Sequence, residues 1–190
     1  MGRSAELPFD KTIFAVKDHR MATPVSQLRS ELRTGRDALF DAIRGLAEEQ
    51  FRHLPPGESW AIATHLVHLL RIERIFTERA RAAIGEDEPF VASTRVQNED
   101  EPGLAQRLAV PQVIHGMLNT RRDLEATLDA CDDAALATRA IRHETLGRMT
   151  LEEIFVKMAQ HEDEHRLEIA KLVKQAPPSA RVTIPLARRS

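Results

Sequence analysis

Only one cysteine, Cys131, occurs in the 190 residues. An intramolecular disulfide is therefore excluded, and the lone thiol fits a reducing compartment, so the expected location is cytoplasmic. Cys131 reads as an inert buried thiol, because no base stands beside it in sequence to activate it. Charge of one sign is also lacking. The formal net charge is −2, and the arginines are interleaved with Asp and Glu, as on solvated helix faces. That argues against a protein whose main task is to hold nucleic acid phosphates, which calls for a strongly basic face. Long hydrophobic runs are missing too. The longest uncharged stretch in the apolar middle, Ser59 to Leu70, carries two histidines, and it is far shorter than the roughly 20 apolar residues of a membrane span. The first residues, MGRSAELPFDK, have no continuous apolar core and do not read as a secretory signal. Strand-like alternation, repeats and low-complexity tracts are not evident either.

What the chain does have is helical periodicity. Leu28, Leu32, Leu39, Ile43 and Leu46 recur at helical spacing over Pro24 to Glu49. HLPPG, His53 to Gly57, breaks that pattern, and a second helix is expected from a Ser59 N-cap to about Ile84, before Gly85. A third spans about Pro111 to Cys131, with a stripe of Ile114, Met117, Leu124, Leu128 and Cys131 whose gap is filled by Arg121. The fourth opens on a capping box, TLEE from Thr150 to Glu153, and stops at about Gln175 before two prolines. Four such helices predict an all-α four-helix bundle over 22–175, flanked by an irregular arm at 1–21 and a basic, Pro-containing tail at 176–190. The acidic linker between Gly85 and Val110 is long enough for a crossover, and is a candidate cover for one end of the bundle.

The chemistry-bearing residues are histidines. At about 100° per residue, His161 and His165 lie about 40° apart on the fourth helix, on the side of Ile154, Met158 and Leu172. On the second, His65 shares a face with Ile62, Leu69, Ile72 and Phe76, and His68 borders it. Buried imidazoles are unfavourable unless their nitrogens are satisfied, and a metal satisfies several at once. The bland alternative is that each bonds a carbonyl or water. HEDEH, 161 to 165, also reads as H-E-x-x-H, but a zinc protease needs a third ligand. The downstream positions of one such class hold Glu168 and Lys171, where Gly and His would be required. The Pro-rich tail has no place for the distant Glu of another. The third ligand is better sought upstream, in His68 or His65.

SWAIATHLVHLLRIERIF, with Trp60 eight residues before His68, resembles the second-helix motif of the DinB/YfiT-like superfamily. HETLGRMTLEEIFVKMAQHEDEHRLEIAKL, His143 to Leu172, resembles its C-terminal motif: a glycine turn, a Thr-Leu-x-Glu helix start and an H-x-x-x-H pair. The resemblance covers roughly 22–175. It implies a bundle in up-down-down-up order and a divalent metal, most often zinc or nickel, held by His68, His161 and His165, with His65 as a substitute ligand or a residue supporting one. Such relatives include transferases and isomerases that use low-molecular-weight thiols; others look like metal-dependent hydrolases. A small-molecule substrate or thiol and a homodimer are the partners it implies.

Three further residues are candidates for catalysis. Arg121, in an apolar stripe, would clamp a carboxylate or else close an ion pair inside the bundle. Glu162 and Glu168 flank the histidine pair and would act as base or orient an imidazole, with a structural ion pair as the alternative for each. Trp60 is expected to be core packing. The competing functional class is a non-catalytic metal-binding or stress-related bundle.

Overall fold

The structure is a computed structural model that describes residues 23–93 and 100–178. The arm at 1–21 and all but the first residues of the tail lie outside the described residues. The chain is mostly helical, with a small three-stranded sheet. Among the described residues four helices are long: α1 (Val25–Ala42), α3 (Ile62–Gly85), α5 (Val110–Asp129) and α7 (Leu151–Gln175). Three are short: α2 (Glu48–Arg52), α4 (Asp100–Arg107) and α6 (Asp133–Thr138). The strands are β1 (Phe90–Val91), β2 (Ala140–His143) and β3 (Gly147–Thr150).

The apolar stripes bury as their spacing requires. Leu28, Leu32, Leu39, Leu66, Leu69, Met117, Leu124, Ile154 and Met158 are at most 1% exposed and share one core. The first helix is shorter than its periodicity suggests. It ends at Ala42, because Gly45 adopts a left-handed φ of 79° and turns the chain. Ile43 and Leu46 still bury, from the turn rather than the helix. Ser59 does not cap the second long helix. Ala61 occupies that position without a side-chain bond. The capping box of α7 forms as read: Thr150 accepts from the Glu153 backbone, and Glu153 reaches back to the Thr150 N–H at 2.7 Å.

Cross-helix pairs fix how the long helices meet. Between α1 and α5, Arg29 bonds Asp129, Arg33 bonds Glu125 and Arg36 bonds the Met117 carbonyl, so one number rises as the other falls. Between α3 and α5, Glu73 meets Thr120 and Arg81 meets Thr127, and both rise. Between α3 and α7, His65 meets His165 and His68 meets His161, in opposite senses. Arg36 also bonds Glu162, and the Thr23 N–H bonds Glu152.

The sheet was not anticipated. β2 and β3 form an antiparallel hairpin whose turn closes at Gly147, with φ 74°, and β1 joins β2 in parallel. The hairpin delivers the chain directly into α7, because Thr150 is both the last strand residue and the helix cap. Strands of two and four residues are too short to register as alternation. Among the described residues, no helix is long and apolar enough to cross a membrane.

Candidate metal centre

The N-terminal half of α3 carries His65 and His68, and the middle of α7 carries His161 and His165. Because these helices meet in opposite senses, each pair faces the other. His68 Nε2 lies 3.0 Å from His161 Nε2, and His65 Nδ1 lies 2.7 Å from His165 Nδ1. One ligand atom each from His68, His161 and His165 can be chosen so that all lie within 4.8 Å of one another. Two ligand nitrogens around a tetrahedral zinc, at about 2.0–2.1 Å from the ion, sit about 3.3 Å apart. The triad could therefore hold a divalent cation, with its ligand atoms closing from within 4.8 Å toward that spacing.

Three of these rings, His65, His161 and His165, are held neutral, the form of imidazole that ligates. Burial pushes His165 down to about 2, helped by the neighbouring His161, His68 and His65. Burial likewise lowers His65 and His161 to about 4 each, with His68 adding to both effects; Glu168 opposes it for His65, and Lys157 reinforces it for His161. A neutral imidazole carries one N–H and one lone pair. With His165 Nδ1 taken by His65, Nε2 is the nitrogen that His165 has left. His68 Nδ1 is taken as well: Glu101 places its carboxylate oxygens 2.7 and 2.9 Å away. Glu101 comes from α4, inside the long linker, and is fully buried. Sequence reasoning missed it, although it marked that linker as a candidate cover.

Trp60 packs on the imidazoles themselves. Its ring stacks on His165 at 5.9 Å with an 8° interplanar angle, and it stands 5.1 and 5.0 Å from the rings of His65 and His68. It shields three of the four imidazoles. His161 is the most accessible member of the triad; His65, His68 and His165 are each at most 6% exposed.

Arg121 and Glu162 are brought together in a separate buried network. Arg36, Glu73, Arg121 and Glu162 come one from each long helix, and none is more than 3% exposed. Arg36 Nη2 donates to Glu73 at 3.1 Å and to Glu162 at 2.9 Å. Arg121 Nε donates to Glu73 at 2.6 Å, and its Nη2 to Glu162. The remaining guanidinium donors find the Met117 and Leu32 carbonyls, and Thr120 donates to Glu73. Burial pulls the Arg36 guanidinium toward losing its proton, but the two carboxylates more than offset this and its pKa is raised. In H-E-x-x-H proteases the Glu serves as a base at the metal; here Glu162 faces two arginines. Glu168 lies near the surface, 2.6 Å from Lys171. Cys131 is half-buried, donates to the Thr127 carbonyl, and has its pKa raised by burial and by Asp132, so it is not an activated thiol.

A groove of about 830 Å³ between α1 and α7 includes none of the four histidines among its lining residues. No curated protein matches the chain. The family model of the DinB superfamily matches residues 31–169, a span that includes Trp60, all four site histidines, Glu101 and the buried charge network, and the chain belongs to the DinB superfamily.

Proposed function

We propose that this protein is a metal-dependent enzyme in which His68, His161 and His165 hold one divalent cation, zinc or nickel. One observation carries the reading: His68, His161 and His165 converge from two helices, with one ligand nitrogen of each within 4.8 Å of the others. Three protein ligands leave coordination positions for an exogenous group, the pattern of catalytic rather than structural sites. Bound there, the cation would lower the pKa of a low-molecular-weight thiol or of water and so supply a nucleophile at neutral pH, for S-transfer or isomerisation in the first case and hydrolysis in the second. The protein's own residues hold the ligands in place. His65 fixes the His165 ring, and Trp60 excludes water from one side of the cluster. Solvent and substrate would approach from the side of His161, the half-buried member of the triad.

In this reading Arg121 and Glu162 act at a distance, by tying the four long helices together. Those helices form an up-down-down-up bundle, which the senses of the cross-helix pairs support. A homodimer and a cytoplasmic location are part of the same proposal.

The test is turnover. Protein reconstituted with zinc or nickel is offered a panel of thiols with electrophiles, and separately ester and amide substrates. Metal-dependent product that disappears in a His161→Ala, His165→Ala double variant supports the enzyme. Tight metal binding with no turnover across both panels favours the second reading, a non-catalytic metal-binding bundle. His65 Nδ1 pointing at His165 rather than completing the triad speaks against a closed, four-ligand site.

A further inference from the structure

Glu101 is fully buried, 33 residues along the chain from its partner His68. A buried carboxylate is costly unless a donor or a cation compensates it. Among the described residues its other ion-pair partner is Arg71, which reaches one oxygen at 3.5 Å from a partly exposed position. The short contacts go instead to His68 Nδ1. An ionised carboxylate only accepts, so a neutral His68 bonded to it carries its proton on Nδ1. That leaves the lone pair on Nε2, the atom that faces His161. Without Glu101, both tautomers of His68 are open to it.

We propose that Glu101 is a positioning residue of the metal centre. This rests on the reading of His68, His161 and His165 as ligands. Glu101 holds His68 in the Nε2-ligating tautomer, fixes its ring, and sets a negative charge against the cation through the imidazole. It also makes α4, a segment of the linker, a working part of the site. A metal on Nε2 would polarise the Nδ1–H toward the carboxylate and strengthen that hydrogen bond.

The experiment measures zinc affinity of the full chain by competition with a chromophoric chelator, for wild type, Glu101→Gln and Glu101→Ala. Arg52→Ala is the control. Arg52 donates to the Ala105 and Leu108 carbonyls and so secures the far end of α4 without touching Glu101 or His68. Glu101→Ala is expected to weaken zinc binding about 10–100-fold, Glu101→Gln by an intermediate factor, and Arg52→Ala by less than about threefold. A second readout needs no metal. Imidazole nitrogen shifts of the metal-free protein are expected to show the Nδ1–H tautomer for His68 in wild type, and a mixture in Glu101→Ala. Unchanged affinity in Glu101→Ala, an equal loss in Arg52→Ala, or an unaltered tautomer would each overturn the proposal. If wild type itself binds no zinc, the ligand assignment fails, and the tautomer measurement still decides whether Glu101 orients His68.

Discussion

Replacing Glu162 with Gln separates a structural role for this residue from a catalytic one. Glu162 accepts from Arg36 Nε at 3.1 Å, from Arg36 Nη2 at 2.9 Å and from Arg121 Nη2, with its side chain 2% exposed. Gln preserves the shape and one acceptor but removes the charge. Two guanidinium groups then face a single carboxylate, Glu73, out of water. Removing one partner of a buried ion pair costs about 3–5 kcal/mol, against a total stability of about 5–15 kcal/mol. At about 2–4 °C per kcal/mol for a chain of this size, the melting temperature falls by about 6–20 °C. Thermal unfolding by circular dichroism measures it. The Arg121→Met, Glu162→Gln double variant removes one charge of each sign, so it should lose less than the sum of the two single losses. Zinc bound per folded chain should stay near that of wild type in Glu162→Gln. The reasoning is refuted if this variant melts within about 2 °C of wild type while losing metal-dependent turnover, which would place Glu162 at the reacting centre.

Three other outcomes follow from the geometry. The lowered pKa values of His65, His161 and His165 mean that the unfolded chain, with ordinary imidazoles near 6.5, holds more protons than the folded chain as pH falls from about 6.5 to about 4. Stability of the metal-free protein therefore falls over that window, by at most about 4 kcal/mol per pH unit, and this contribution is flat above it; urea midpoints that do not fall would mean that the imidazoles protonate in the folded state. Trp60 is the only tryptophan, so its fluorescence should respond to zinc titration at the rings it stacks on, and an unchanged spectrum on saturation would show that the cation binds elsewhere. Gly147→Ala should cost about 1–2 kcal/mol, because φ is 74° and an added Cβ meets nothing within 4 Å, so the cost is purely conformational; a melting temperature equal to wild type would contradict that turn geometry.

The long helices and the triad were legible because their signals repeat. Apolar residues recur over four or more turns, and His161 and His165 are one turn apart on the same stripe. The buried charge layer was equally periodic but read in only one place. Arg36 follows Leu32 by four and precedes Leu39 by three. Glu73 stands so between Leu69 and Phe76, Arg121 between Met117 and Leu124, and Glu162 between Met158 and His165. A charged residue in that register on every long helix signals an internal network, yet taken singly each looks like an interruption. Glu101 and the strands carry no comparable pattern. Glu101 reaches His68 through the path of a linker, and β1 is paired by hydrogen bonds between segments some fifty residues apart, Phe90 with Arg142. Trp60 lies outside the α3 periodicity, just before the helix starts, so only the turn at its N-terminus decides that it meets the imidazoles.

The central claim is that His68, His161 and His165 form a metal site, and elemental analysis of the purified protein tests it most directly, beside a folded His161→Ala, His165→Ala variant. The account predicts about one transition-metal ion per wild-type chain and none in the variant. A wild type that is metal-free as purified, and remains so after incubation with zinc or nickel, would contradict it and leave the four histidines as core residues that satisfy one another.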